Sequence, residues 1–543
     1  MATFAAAFLV PLSLLLPADA YEMTLSLDLE AGHLRGRERL VYENTAQASL
    51  AEIRLRLDLN LTAPGTLKVS GVKSAGGAEL ASRLGSFSFA DLRSDDAQLI
   101  VVLEKPLEPG EAVAVDIEFS FTSPEVLNAE LAVLQDDPYP SLDAWYPKAM
   151  SWRDGQWRCD DDRIASYRVA IDVPANLALA STGQVVEERT EGERQQLRLK
   201  AEGVRGFTIY GSPKWKVSSR PGKVPLRALL PEEAAAQAER LLGMVEDVIG
   251  YYEKDFGPYP ASHLDVIGVL AASGGGAFAA CNVLGLFWTK GIDERLQWLV
   301  AHEVAHQYFG NSVNQYRNDV YWVLIGLGLV IDRYYLADRG LPDDYHHNMI
   351  DMYRRAKSEG HDLSLTQKVE DLYRAKSPWS SRWNLGLGHA KAFAVCYLLE
   401  DLLGEPAFRA VIARLIEEHA GGMVTAGDLL DVCEEESGED LRWFEVDWIE
   451  ADATLDYAIV GVKRADAGTA VEIERHGTAA FPVLVQAKTA AGDLLQQRVR
   501  RDVRRQVLEF QTEAELSSVV IGPSGLYPDV KPADDRWPPA GTR

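Results

Sequence analysis

Two histidines and a glutamate stand close together at His302, Glu303 and His306, inside the run Leu296 to Asn311, LQWLVAHEVAHQYFGN. On a helix, residues four apart lie one above the other, so His302 and His306 share a face. Two neutral imidazoles at that spacing can hold one divalent zinc ion, and a carboxylate beside the first can take a proton from a water on that metal. The plainer alternative is a pair of core histidines satisfied by backbone carbonyls. Leu296, Leu299, Val300 and Val304 recur at helical spacing, and Ala301, Ala305 and Phe309 cover much of the remaining circumference. The helix that carries the motif is therefore expected to be buried nearly all round.

The chain has 543 residues, 47% hydrophobic and 25% charged, which is an ordinary globular composition and too long for one core. Its net charge of −26 argues against a nucleic-acid partner, because phosphate binding needs a basic footprint. The one basic cluster (Arg498, Arg500, Arg501, Arg504, Arg505) is spaced to spread over a solvated face. At the N-terminus Ala5 to Leu16 is an apolar run of signal-peptide length, followed by the small-residue pattern Ala18-Asp19-Ala20. Export to a periplasm or the exterior is expected, with cleavage before Tyr21. No stable membrane span is expected, since this run and Val320 to Ile331 both fall short of the ~20 residues a bilayer needs. Cys159, Cys281, Cys396 and Cys433 show no CxxC spacing, so they make no zinc ribbon or redox motif.

From Tyr21 to about Ser218 the apolar period is two: Tyr21, Met23, Leu25, Leu27 and Leu29, then Ile53 to Leu59, Val113 to Phe121, and Val169 to Val173. This predicts a large antiparallel β domain with one face of each strand buried. The acidic runs Asp136-Asp137 and Asp160 to Asp162 read as solvated loops, with calcium as the alternative. After Pro221-Gly222 the period becomes helical, over Pro231–Tyr252, Asp319–Ala337, Asp343–Glu359, His389–Leu403 and Pro406–His419. Alternation returns from about Thr454, predicting a small β-sandwich, and the tail from Pro532 reads as loose.

At HEVAHQYFGN the sequence resembles the aminopeptidase-N-like zinc metallopeptidases, gluzincins with a thermolysin-like catalytic domain. The opening strand into Gly36-Arg37-Glu38, Trp145-Tyr146-Pro147, YYEKDFGPYP (Tyr251 to Pro260) and GPSGLYPDV (Gly522 to Val530) look like that family too. The resemblance implies a multidomain α+β chain: signal peptide 1–20, N-terminal antiparallel β domain 21–218, mostly helical thermolysin-like domain 219–453, β-sandwich 454–531 and tail 532–543. It implies peptide-bond hydrolysis, with His302 and His306 as zinc ligands and Glu303 as the base.

Three other parts of the family's machinery differ here. The third zinc ligand is a Glu nineteen positions after the second His, and that count lands on Ile325, followed by Gly326. The nearest acids are Asp319 and Asp332, and Asp332 lies roughly 10 Å along the helix from Ile325. The loop whose Glu grips a substrate's free amine falls on Gly276-Ala277 or on Asn282, and no acid occurs between Val266 and Ile292. The Tyr that steadies the oxyanion aligns with His389, in His389-Ala390-Lys391. Impaired or lost peptidase chemistry is therefore expected, with zinc weakly held or absent and a peptide or protein as substrate or ligand. One alternative is an active hydrolase with a rearranged His302, His306 and His389 metal site. Another is a non-catalytic scaffold that binds peptides or proteins. His346, His347 and His361 read as solvated helix-end or loop residues.

Overall fold

A computed structural model describes residues 19–539 except 90–91, 126, 130, 136–143, 271–276, 289–293, 375–383 and 466–467. The chain forms two compact units that interleave in sequence. One comprises the residues up to Leu242 with Ala261–Thr289; the other comprises Gly243–Pro260 with the residues from Lys290 onward.

The first unit is built on a seven-stranded sheet. Its order is Gln184–Glu191, Arg194–Val204, Ala165–Pro174, Asp19–Asp28, His33–Glu43, Ala112–Thr122 and Lys68–Ser74. The alternation read from the sequence is obeyed: Tyr21, Met23, Leu25, Leu27 and Leu29 are buried while Glu22, Thr24, Ser26 and Asp28 are exposed. Pairing is antiparallel except at the centre, where Asp19–Asp28 runs parallel to Ala165–Pro174. A five-stranded mixed sheet in the same unit contains Leu226–Pro231, Leu264–Leu270 and Val283–Trp288, successive neighbours paired in parallel.

Two expectations need correction here. Asp160 to Asp162 are not solvated: Asp161 pairs with buried Arg56 and with Lys148, both at 2.8 Å, and Arg153 bridges Asp160 and Asp162. Protein cations thus hold the oxygens that calcium would need, while Asp136-Asp137 lies outside the described residues. The first strand also starts two residues before the expected cleavage point. Asp19, 2% exposed, takes two hydrogen bonds from Arg163, at 2.6 and 2.5 Å, and Arg163 lies over the Tyr42 ring. The other expected leader residues, up to Ala18, lie outside the described residues.

The second unit is mostly helical. Its longer helices are α1 (Ala238–Phe256, from Gly243 onward), α2 (Glu294–Tyr308), α3 (Trp322–Asp338), α4 (Asp344–Ser358), α5 (Ala392–Leu403), α6 (Glu405–His419) and α7 (Ala426–Ser437). A π-helical stretch, Asn384–Lys391, leads into α5. The C-terminal part holds two sheets. One orders Tyr457–Ala465, Gly468–Arg475 and Arg505–Phe510; the other orders Leu494–Arg498, Leu484–Thr489, Leu516–Ile521 and Arg536–Trp537. The last pairing corrects the expected loose tail, since Trp537 stands opposite Val519 in the sheet. The basic cluster is likewise engaged: Arg498 pairs with Asp401, Arg500 with Asp502 and Arg505 with Glu472. Among the described residues, no helix is long and apolar enough to cross a membrane.

Removing one partner of a buried ion pair leaves an uncompensated charge, at a cost of about 3–5 kcal/mol. A chain that starts at Tyr21 is therefore expected to unfold at clearly lower urea than one that starts at Asp19. Equal midpoints for the two would show that Asp19 contributes nothing to the sheet.

Candidate functional site

α2 carries the HEVAH motif and is buried on almost every side, with His302 and Glu303 at 4% and 5% exposure and His306 half-buried. Apolar neighbours hold it in place. Tyr252 on α1 donates to the Ala301 carbonyl, and Tyr308 donates back to Gly257. α3 packs beside it and is the most completely buried helix of the unit, with every residue from Trp322 to Asp332 inside. Its first turn is capped from outside: the Gln315 side-chain oxygen accepts from the amides of Val323 and Leu324, at 3.1 and 3.3 Å.

Glycines set how closely α3 is approached. A Cβ on Gly328 would meet the Ala305 methyl of α2 at 3.9 Å, an ordinary contact. A Cβ on Gly326 would lie 2.6 Å from the Cys396 sulfur and 2.8 Å from the Ala392 carbonyl of α5, which nothing tolerates. Gly328 therefore marks the side turned to the HEVAH helix, and Gly326 the side turned to α5. Ile325, Gly328 and Asp332, at helical spacings of three and four, share the first of these sides.

Asp332 is the residue that sequence reasoning missed. It is 0% exposed, and its Oδ2 accepts from His302 Nδ1 at 2.9 Å while its Oδ1 accepts from His346 Nε2 at 2.6 Å. His346 also hydrogen-bonds Asp343 through Nδ1. The expectation that His346 is solvated is thus corrected: it is 0% exposed, on the same α4 face as Met349, Ile350 and Tyr353. That shared periodicity was the signal available in the sequence.

The hydrogen bonds fix the protons. His346 has a carboxylate at each ring nitrogen, so both nitrogens donate and the ring is an imidazolium. Burial opposes this, but the Asp332 and Asp343 carboxylates outweigh it and raise the His346 pKa to about 9. Asp332 is held below the usual carboxylate range: burial works against it, and the two imidazoles prevail. His306 Nδ1 donates to the Phe309 carbonyl at 3.0 Å, and its Nε2 faces His302 Nε2 at 3.2 Å. Since both Nδ1 atoms donate elsewhere, a hydrogen bond between the two Nε2 atoms requires one added proton. Burial lowers the His302 pKa, but the Asp332 hydrogen bond and the Glu303 and Asp332 charges reverse this to a net rise. Burial and then the His302 charge push His306 down to about 3, so it accepts. Burial pushes the Glu303 carboxyl up to about 7. Asp343, His346, Asp332, His302 and His306 thus form one continuous chain of donors and acceptors.

The same two Nε2 atoms test the fit to zinc. Their 3.2 Å separation suits two corners of a tetrahedral ion with ~2 Å bonds. A catalytic zinc takes three protein ligands, and at the third position stands Ile325, a hydrocarbon side chain at 0% exposure. His389 lies with its ring centre 6.0 Å from that of His302, its ring tilted by 37°. The residues present do not fit the family's three-ligand zinc site.

Lys391, next but one to His389, is buried and donates to the Leu363 and Ala451 carbonyls and to Asp362, so it anchors the π-helical stretch. Asp319 is bound by Lys368 at the surface. Gly276 lies outside the described residues, Ala277 opens the short strand Ala277–Ala280, and both belong with Asn282 to the first unit. Asn282 sits in a turn at φ 64°, and its amide donates to the Thr182 carbonyl at 2.7 Å.

Comparison with known proteins agrees with this helical core. Residues 242–448 match the peptidase family M1 domain. The chain is 22% identical to Aminopeptidase M1-A of Oryza sativa subsp. japonica over 56% of its own length and 35% of that protein. It is 21% identical to Probable aminopeptidase 2 of Sulfurisphaera tokodaii over 57% and 41% of the two chains. The chain therefore spans little more than a third of the length of the curated relatives it matches. The fold resembles that of an M1 zinc metallopeptidase from Deinococcus radiodurans, with a TM-score of 0.62 at 17% identity, covering 80% of this chain and 94% of that one. A mutant form of that peptidase has been solved with a Tyr-Ser-Ala substrate bound. Residues 242–448 are thus similar to a peptidase M1 domain, and the fold is that of an M1 zinc metallopeptidase.

Two substitutions test this packing. Asp332→Ala strips two buried imidazoles of the carboxylate that each one bonds and is expected to cost about 3–5 kcal/mol by urea denaturation. Gly326→Ala forces α3 and α5 apart and is expected to cost about 1–3 kcal/mol. A neutral result for either would mean that the contact relaxes freely.

Proposed function

We propose that this chain is an M1-peptidase relative that binds a peptide or an extended protein segment and has lost the family's hydrolysis. The observation that carries the proposal is Ile325, buried at the third-ligand position on the α3 face that also bears Asp332. Two imidazoles alone hold zinc weakly, and a metal at His302 and His306 would lack its third donor. The segment between Val266 and Ile292 contains no carboxylate to hold a terminal ammonium, so a bound peptide need not present a free amine. The tripeptide bound by the Deinococcus peptidase suggests the class of ligand. The apolar run Ala5 to Leu16 supports a chain that meets its partner after export.

A second reading keeps an active hydrolase, with His389 turning in to join His302 and His306; the tilted 6.0 Å approach of its ring to His302 favours it. Zinc content separates the two. After exhaustive dialysis the wild-type HEVAH site is expected to hold well under one equivalent. Ile325→Glu is expected to raise zinc affinity at that site at least tenfold, roughly 1.4 kcal/mol, with a zinc-dependent rise in melting temperature. A full equivalent in the wild type that is lost on His389→Ala would overturn the proposal and establish the second reading.

A further inference from the structure

Far along the chain from the HEVAH helix, three segments of the C-terminal region bring carboxylates and an imidazole together. Asp456 immediately precedes the strand Tyr457–Ala465, His476 immediately follows its partner strand Gly468–Arg475, and Asp534 lies just before the closing strand Arg536–Trp537. Tyr457 stands opposite Arg475, so the hairpin register places Asp456 and His476 at the same end. One ligand atom from each of Asp456, His476 and Asp534 lies within 4.8 Å of the other two.

Acidic residues gather on many surfaces without a ligand, but these carboxylates are not at rest in water. Asp456 is 6% exposed; its Oδ2 takes a hydrogen bond from Lys531 Nζ at 2.7 Å, while its Oδ1 is buried without a partner. That bare oxygen faces His476 Nδ1 at 3.8 Å, too far for a hydrogen bond. The Oδ1 atoms of Asp534 and of Asp535, itself 7% exposed, are also buried without partners. Buried carboxylate oxygens are almost always satisfied, and those of Asp456 and Asp534 left bare at this group call for a positive charge. Lys531 answers only one oxygen.

We propose that Asp456, His476 and Asp534 form a divalent-metal site, separate from the HEVAH helix, that ties the C-terminal tail to the first hairpin of the sandwich. Two carboxylates and an imidazole suit a borderline ion such as Zn²⁺ or Mn²⁺ better than Ca²⁺, which takes oxygen ligands only. Donors around a tetrahedral ion with ~2 Å bonds sit roughly 3.3 Å apart. The three atoms must therefore close by at most about 1.5 Å, and His476 is exposed. Asp456 binds through Oδ1 while Oδ2 stays with Lys531. Water completes the shell.

The site is tested on the full chain in a His302→Ala/His306→Ala background, which removes the HEVAH imidazoles from the count. Zn²⁺ and Mn²⁺ titrated by calorimetry are expected to bind at one equivalent, with a rise in melting temperature. His476→Ala and Asp534→Asn, both at accessible positions, are each expected to weaken binding at least tenfold, and circular dichroism checks that they fold. Lys531→Met is expected to tighten binding, because it removes the competing cation. No binding of either ion by the folded background, or unchanged binding in both ligand variants, would overturn the site. Binding of Ca²⁺ alone, indifferent to His476→Ala, would overturn its assignment to a borderline metal.

Discussion

Asp332 is a carboxylate placed in the driest helix of the protein, and the arrangement around the HEVAH motif follows from the need to keep it ionised there. A lone buried carboxylate takes up a proton sooner than stay charged. Here His302 and His346 each donate to one oxygen, and the charge is retained. The requirement then propagates. α4 must present His346 inward, Asp343 must cover its outer nitrogen, and α2 must turn His302 so that Nδ1 meets Asp332 and Nε2 meets His306. The Nε2 atoms of His302 and His306 face each other at the end of this run of hydrogen bonds.

Much of the fold was legible because burial leaves a period. The strands from Tyr21 onward and the helical spacings of α3 to α6 appear within a few residues of their expected bounds. Periodicity reports which face is buried but not which strand lies beside which, so the parallel pairing of Asp19–Asp28 with Ala165–Pro174 was invisible. Helix starts slipped for a related reason. Pro231 and the acids after it look like a first turn, yet Leu226–Pro231 is a strand and α1 begins at Ala238.

The site was legible where chemistry is local and illegible where it depends on distant partners. His302, Glu303 and His306 are readable because four residues of sequence fix their geometry. Asp332 stands seven positions beyond Ile325, two turns along the same face, and its distance from the third-ligand position ruled it out as a ligand. Its actual partner is a His302 nitrogen on a neighbouring helix. His346 looked solvated because a histidine near a helix start usually is, and only its agreement in phase with Met349 and Tyr353 spoke otherwise. Asp160 to Asp162 failed in the same way, their cations coming from Arg56, Lys148 and Arg153.

The parallel pair at the centre of the first sheet bears on how the chain is made. Asp19–Asp28 pairs on one side with the hairpin strand that follows it, but its other edge stays bare until Ala165–Pro174 has been synthesised. For that interval the nascent protein carries an open strand edge with a fully apolar face, a template for pairing with other chains. The hazard of aggregation therefore falls on the ribosome-bound first third of the chain, and a holdase that shields the first strands is of most use before translation reaches residue 165.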